Sequence, residues 1–155
     1  MTVLVADEHP ASGVDPDHLR RLAEAVLSAE GFPADAELSI TLVDDDKMAS
    51  WNMRALGKSG PTDVLSFPVE TFRPGDVPTY VPGGPPLIIG DVVIAPDYVR
   101  RQAEQNGMPV DDEIALMVAH GILHLLGYDH EHDADAELME NRERDILASR
   151  GRTRQ

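Results

Sequence analysis

The segment His120-Gly-Ile-Leu-His-Leu-Leu-Gly-Tyr-Asp-His130 constrains the fold of this chain more than any other, because it holds three of the six histidines. Apolar residues surround the first two histidines in a pattern that predicts an α-helix. Positions four apart on a helix lie about 6 Å apart along its axis and differ by about 40° in rotation, so His120 and His124 share one face. Gly127 stands where the end of a helix favours a positive φ, and we expect the chain to turn there.

This arrangement indicates a metal site. We expect the turn at Gly127 to bring His130 back beside His120 and His124 as a third imidazole. Three histidines leave one corner of a zinc tetrahedron open, as catalytic zinc sites do. The alternative role, a hydrogen-bonded core residue, is the more common one for a single histidine on an apolar helix face. Three histidines at this spacing favour metal ligation instead.

Composition sets broader limits. A chain of 155 residues suits one domain with one substantial core, and the absence of cysteine excludes disulfides and thiolate zinc sites. The formal charge of −15 argues against general affinity for nucleic acid, although a local basic groove is compatible with an acidic exterior. The first residues lack the features of a signal peptide, and no apolar run is long enough to cross a membrane. We therefore expect a soluble, cytoplasmic protein.

Hydrophobic periodicity and turn residues predict a single α+β domain. Strands are predicted at residues 2–6, 38–42, 62–67 and 87–94. Helices are predicted from 16 to 30, from 45 to 55, from 96 to 105, from Asp111 or Asp112 through the first two histidines, and from 133 to 149. The stretch from 71 to 86 lacks periodicity, and is either functional or a surface excursion between the two strands of a hairpin.

Several single residues have predicted structural roles. The run Asp44-Asp45-Asp46 is expected to cap a helix rather than to hold a hard cation. Gly90 is expected at a bulge or at a close approach of two backbones. We expect His9 and His18 at the surface. The last helix is expected to bury four apolar side chains, namely Leu138, Met139, Ile146 and Leu147.

Three blocks of this sequence resemble one known family. They are the histidine segment itself, Pro61-Thr-Asp-Val-Leu-Ser-Phe-Pro68 and Gly90-Asp-Val-Val-Ile94. Their order and distances, and the later pattern Met139…Glu143…Ile146-Leu147, are similar to those of the YbeY family of metal-dependent endoribonucleases, which are linked to ribosomal RNA maturation. The resemblance runs from about residue 35 to 148, and the histidine block is its most specific part.

The resemblance implies a fold, an activity and partners. The fold would be a mixed sheet of about four strands surrounded by helices, with a zinc site at the end of a central helix and one domain over residues 1–155. One zinc ion per chain would be held by His120, His124 and His130. The protein would cleave single-stranded RNA, process the 3′ end of small-subunit ribosomal RNA, act in ribosome quality control, and associate with the ribosome or with small-subunit proteins.

One position departs from the family pattern. The family commonly carries an arginine six residues before the threonine of the Thr-Asp-Val block, and here that position is Leu56. Arg54 and Lys58 flank it, and both are candidates for the same phosphate contact. Asp91, in the Gly-Asp turn, is a further catalytic candidate. Asp129 is expected to support the neighbouring ligand rather than to act on substrate.

The chemistry leaves alternatives open. The residue after the first histidine is Gly121, so the glutamate that serves as general base in His-Glu-x-x-His zinc proteases is missing, which counts against a protease. For RNA, the nucleophile is either the substrate's own 2′-hydroxyl or a zinc-activated hydroxide. Thr62 and Ser66 either line the cleft or are plain strand residues, and His132 is expected to be exposed. A different class of function is a ribosome-associated assembly protein whose zinc site mainly holds structure.

Overall fold

The structure is a computed structural model and describes residues 1–75, 83–129 and 133–153. Its strands are β1 (Thr2–Asp7), β2 (Ala36–Leu42), β3 (Val64–Pro68) and β4 (Leu87–Ile94). Its α-helices are α1 (Pro16–Ala29), α2 (Asp45–Leu56), α3 (Pro96–Asn106), α4 (Val110–Leu125) and α5 (Asp133–Thr153), with a short 3₁₀ turn at Pro10–Ser12. Every predicted strand and helix is present, and the boundaries differ by a few residues.

The four strands form one mixed sheet in the order β1-β2-β4-β3. β1 runs parallel to β2 and β2 parallel to β4, whereas β3 pairs with β4 in the antiparallel sense. The α+β class and the four-stranded mixed sheet are thereby confirmed. The stretch from 71 to 86 joins the two antiparallel strands, which confirms the hairpin interpretation; its residues 76–82 lie outside the described part of the chain.

Gly90 has both predicted roles. The pairing of β2 with β4 shifts by one residue there, because Glu37 pairs with Ile88 whereas Leu38 pairs with Gly90. The φ of Gly90 is 152°, and an added Cβ would lie 2.5 Å from the carbonyl oxygen of Phe67. Glycine therefore permits both the bulge and the close approach of β3 to β4.

The sheet has two differently covered faces. On one face α1 and α4 enclose the main core together with β2 and β4. Its buried side chains include Leu19, Leu22, Val26, Leu38, Ile40, Val92, Ile94, Val118 and Ile122. On the other face α2 covers a smaller cluster around Met48, Leu65 and Val93. Because α4 packs against α1, α3, α5, β3 and β4, it is the central helix of the fold.

The N-terminal caps of two helices were predicted, and one of the two predictions is confirmed. The Asp44 side chain accepts a hydrogen bond from the Lys47 amide at 2.8 Å, which confirms that the acidic run caps α2. The predicted cap of α4 at Asp111 or Asp112 is wrong. That helix begins at Val110 after Pro109, and the two aspartates lie within its first turn, where their charge favours the helix dipole.

Two expectations about exposure are also wrong. Leu138 is 45% exposed, because the buried stripe of α5 passes through Met139 and Ile146 and leaves the neighbouring position outside. His9 is not an ordinary surface residue, since its Nε2 lies 2.8 Å from Asp97 Oδ2 where the end of β1 meets α3. Across the described ranges, none of the helices is both long and apolar enough to cross a membrane.

Candidate active site

His120 and His124 lie on the last two turns of α4 and open into one cleft of about 440 Å³. We call it the histidine cleft, and its lining residues are Leu56, Asp63, Val64, Leu65, Ser66, Met117, His120 and His124. His120 is half-buried and His124 is exposed. The predicted pairing of the two histidines on one helix face is therefore observed, with β3 forming the opposite wall.

Gly121 explains how closely this helix approaches the sheet. A Cβ at Gly121 would lie 3.0 Å from Val64 Cγ2 and from Val92 Cγ1, and 3.3 Å from Ser66 Oγ. The Ser66 hydroxyl donates to the Gly121 backbone carbonyl at 2.8 Å and so links β3 directly to the backbone of α4. Position 121 thus faces the sheet and has no room for the glutamate of a zinc protease, so any carboxylate that moves protons must come from another element.

The end of α4 forms the turn that the sequence predicted at Gly127. The Gly127 amide donates to the His124 carbonyl, and the Tyr128 amide to the Leu123 carbonyl, both at 3.1 Å. These are the two hydrogen bonds of a Schellman motif. The φ of Gly127 is +101°, and an added Cβ would lie 2.2 Å from the carbonyl oxygen of Phe72. The turn therefore requires glycine both for its conformation and for its packing.

The turn fixes the His124 ring. Its Nδ1 lies 3.0 Å from the backbone carbonyl oxygen of Tyr128. A carbonyl oxygen can only accept, so Nδ1 carries the hydrogen and donates it. In the neutral imidazole the lone pair is then on Nε2. Local backbone geometry thus sets which nitrogen of His124 is able to ligate a metal.

The His120 ring is fixed by a distant side chain. Its Nδ1 lies 2.6 Å from Oε1 of Glu143, a buried glutamate of α5. This hydrogen bond raises the pKa of His120 above its ordinary value; burial opposes the rise, and the negative charges of Glu143 and Asp63 add to it. A carboxylate on Nδ1 is the usual partner of a histidine that ligates a metal through Nε2.

Asp63 places a second carboxylate at the cleft. It lines the wall opposite the histidines, and its charge acts on His120. The Val64 amide donates to Asp63 Oδ1 at 2.7 Å, and the Thr62 hydroxyl at 3.3 Å. These contacts hold the side chain at the start of β3. Thr62 therefore helps to hold Asp63 and does not line the cleft, whereas Ser66 lines the cleft itself.

The structure places the candidates around Leu56 unequally. Leu56 is 56% exposed and lines the histidine cleft, so the position of the family's arginine is a cleft position. Arg54 is exposed on α2 with its guanidinium 5.8 Å from the centre of the Trp51 ring, and Lys58 is exposed in the loop that follows. Neither is among the residues that line the cleft.

Asp91 is not brought to the histidines. Its neighbour Val92 faces α4 at Gly121, and successive side chains of a strand point to opposite faces of the sheet. Asp91 is therefore exposed on the other face.

Two other candidates, His130 and His132, lie outside the described residues. Asp129 directly follows Tyr128 and is half-buried. Within residues 1–75, 83–129 and 133–153, no three histidine, cysteine, aspartate or glutamate side chains are grouped to hold a metal ion.

The described donor set nevertheless suits a metal. Two imidazoles line one cleft and each has its Nδ1 held by an acceptor, which is the usual arrangement of histidines that ligate a metal through Nε2. Sequence reasoning assigned no role to Asp63 or to Glu143. A signal for Glu143 was present, because it is the acidic member of the buried stripe Met139, Glu143 and Ile146, spaced four and three residues apart.

The chain is similar to known proteins of one family. The sequence model of the endoribonuclease YbeY family matches residues 5–151. A protein named endoribonuclease YbeY from Acidothermus cellulolyticus is 47% identical over 142 residues, which cover 89% of this chain and 85% of that protein. Its namesake from Thermobifida fusca is 45% identical over 152 residues, covering 96% and 93%.

The fold is similar to a solved structure as well. The solution structure of a protein from Thermotoga maritima superposes with a TM-score of 0.62, covering 97% of this chain and 93% of that one at 24% identity. At this identity the likeness supports the fold alone. The extent of the family match and the identity to its named members are sufficient for an assignment. The chain belongs to the endoribonuclease YbeY family.

Proposed function

We propose that this chain is a zinc-dependent endoribonuclease that cleaves single-stranded RNA in the cytoplasm. It would act in maturation of the 3′ end of small-subunit ribosomal RNA and in ribosome quality control, together with the ribosome or small-subunit proteins. The observation that carries the proposal is the histidine cleft, where the Nδ1 atoms of His120 and His124 are both held by acceptors. Family membership supplies the class of substrate.

His120, His124 and His130 would hold one zinc ion. Glu143 and the Tyr128 carbonyl keep the first two rings oriented and keep the hydrogen on Nδ1. When bound, zinc supplies Lewis-acid stabilisation for the negative charge that develops on the phosphate. The residues of the chain then have two remaining tasks, the transfer of protons and the binding of the RNA.

We assign proton transfer to Asp63 rather than to Asp91. Whether the nucleophile is the 2′-hydroxyl or water, it loses a proton, and the departing oxygen gains one. Among the residues that the structure describes, Asp63 is the carboxylate that lines the cleft beside His120, and the Val64 amide and Thr62 hydroxyl hold its Oδ1 in place. Asp91 lies on the opposite face of the sheet, away from this cleft.

Binding of RNA requires local positive charge on a protein whose formal charge is −15. Arg54 and Lys58 are exposed on either side of the cleft residue Leu56, so we assign them contacts with phosphates that flank the cleavage position. Leu56, Met117 and Val64 give the cleft an apolar part. That part suits a base or ribose of an unpaired nucleotide, since a paired base would be held in the duplex.

The test is cleavage of a labelled single-stranded RNA by the wild-type protein, by His124→Ala and by Asp63→Asn, each with and without a chelator. His18→Ala is the matched control, because His18 lies on α1 and does not line the histidine cleft. We expect cleavage by the wild type and the control, and loss of cleavage with either cleft variant or with chelator. Equal cleavage by the wild type and His124→Ala would contradict the proposal.

A second candidate is a ribosome-associated assembly protein with a mainly structural zinc site. The observation that favours it is Leu56, an exposed apolar side chain at the cleft position where the family commonly has arginine. It predicts that His124→Ala lowers the free energy of unfolding, while no preparation cleaves RNA. Zinc-dependent cleavage by the wild type would eliminate it.

A further inference from the structure

A polar cluster around a buried carboxylate lies where α1 ends, against the turn that follows α4. It consists of Glu30, Tyr128 and Arg142. The Tyr128 hydroxyl donates to Glu30 Oε2 at 3.0 Å, and Arg142 Nε donates to Glu30 Oε1 at 2.9 Å. The Glu30 side chain is 6% exposed and Tyr128 is 4% exposed, whereas the Arg142 side chain is 29% exposed. One carboxylate thus joins the end of α1, the turn after α4 and the helix α5.

The cluster reaches the cleft through Tyr128. This residue is fixed at its hydroxyl by Glu30, and its carbonyl oxygen accepts the Nδ1 hydrogen of His124. Arg142 is also adjacent to Glu143, which accepts the corresponding hydrogen of His120. Neighbouring residues of α5 therefore support both cleft histidines, one directly and the other through Glu30 and Tyr128.

Stability alone gives a weak reason for such a cluster. The Glu30 carboxylate loses its hydration on burial, and this cost offsets much of what its ion pair with the partly exposed Arg142 contributes to stability. The three hydrogen-bonded groups instead fix the orientation of the Tyr128 side chain. The Tyr128 ring is unable to rotate away without leaving the Glu30 carboxylate buried and short of a donor.

We propose that Glu30, Tyr128 and Arg142 are positioning residues that orient the Tyr128 carbonyl against His124 Nδ1 and thereby set the zinc affinity of the cleft. The inference rests on the proposed zinc site and concerns residues that do not line it.

The experiment compares Tyr128→Phe and Arg142→Met with wild type in the full-length chain. Arg144→Met is the matched control, because Arg144 is an exposed arginine of the same helix that contacts the Asn141 side chain. Two quantities are measured. The first is the ¹⁵N signals of the His124 ring in metal-free protein, and the second is the zinc dissociation constant from competition with a chelator.

We expect both cluster variants to bind zinc about tenfold more weakly than wild type. This is the low end of the loss that follows when a group that orients a metal ligand is mutated. Their His124 ring should change from one tautomer, with hydrogen on Nδ1, to a mixture of two. Arg142→Lys keeps a charged donor for Glu30 and should restore most of the affinity. Arg144→Met should match wild type in both measurements.

Unchanged ring signals and unchanged zinc affinity in Tyr128→Phe would overturn the inference, whatever the loss of stability. That variant removes a single oxygen atom, so it decides the matter even where Arg142→Met does not fold. If wild type binds no zinc, the proposed function fails, and the ring signals of the metal-free proteins still decide the positioning role.

Discussion

His120 and His124 are four residues apart on one helix, yet their rings are held by different parts of the molecule. His124 donates to a backbone carbonyl four residues further along, within the turn that ends α4. His120 donates to the carboxylate of Glu143, which is 23 residues away on α5. We call the Tyr128 carbonyl the local anchor and the Glu143 carboxylate the distant anchor. The local anchor is neutral, whereas the distant anchor is charged and depends on tertiary packing. The two histidines should therefore respond differently to mutation and to pH.

The local anchor should be the more sensitive to backbone changes. Gly127→Ala places a Cβ 2.2 Å from the Phe72 oxygen at a φ of +101°. Left-handed strain and the clash together should cost about 3 kcal/mol of unfolding free energy. Gly107→Ala is the control, since Gly107 also ends a helix at positive φ but has open space around its Cβ position. We expect that control to lose about 1 kcal/mol in urea unfolding.

The distant anchor should be the more sensitive to loss of charge. Glu143→Gln keeps the shape of the side chain and removes the carboxylate, so zinc affinity should fall by about ten- to a hundredfold. Glu140→Gln, an exposed position on the same helix, should leave the affinity unchanged. Chelator competition measures both variants. Equal affinities for the two would mean that the His120–Glu143 contact has no role in metal binding.

The two anchors also predict a pH dependence for His120. Glu143 raises the pKa of His120, so metal-free protein should keep this imidazole protonated to a higher pH than about 6.5, the value in unfolded chains. The interaction therefore stabilises the metal-free fold at pH below 6.5 and is lost as pH rises through the folded pKa.

Zinc binding should weaken as pH falls through the raised pKa of His120, because a ligating imidazole must be deprotonated. NMR titration of the His120 ring measures the shift directly. In Glu143→Gln the titration should move to lower pH. A midpoint that is the same in the variant and the wild type would show that Glu143 does not act on His120.

The smallest expected effect lies outside the two anchors. Arg54→Ala with Lys58→Ala should weaken RNA binding and leave zinc affinity unchanged, because neither residue lines the cleft. For single strands, each lost phosphate contact should reduce the slope of log affinity against log salt by about 0.7. Arg21→Ala is the control, because Arg21 is an exposed arginine of α1. An unchanged slope would remove Arg54 and Lys58 from the RNA-binding surface.

The contrast between the anchors also shows what the sequence was able to predict. The histidine pair, the turn at Gly127 and the bulge at Gly90 depend on spacing and on backbone conformation, and each was predicted correctly. The partner of His120 was not predicted, because an ion pair between residues 23 apart depends on how α5 packs against α4. Asp63 was missed for the same reason, since only the sheet brings β3 opposite the histidines.

The position of Asp91 illustrates the limits of a motif. It lies within a block that resembles the family, and the sequence made it a catalytic candidate. Strand alternation instead directs it away from α4, where Val92 packs against Gly121. A motif identifies residues that belong together in sequence, whereas the register of the strand decides which of them face the cleft.

We propose that His120 and His124 hold zinc through Nε2 while their Nδ1–H groups donate to Glu143 and to the Tyr128 carbonyl. Long-range ¹H–¹⁵N spectra of the histidine rings, before and after one equivalent of zinc, test it most directly. We expect both rings to retain the hydrogen on Nδ1 and both Nε2 signals to shift. Nε2 signals that stay unchanged in either ring, or a shift of Nδ1 instead, would contradict it.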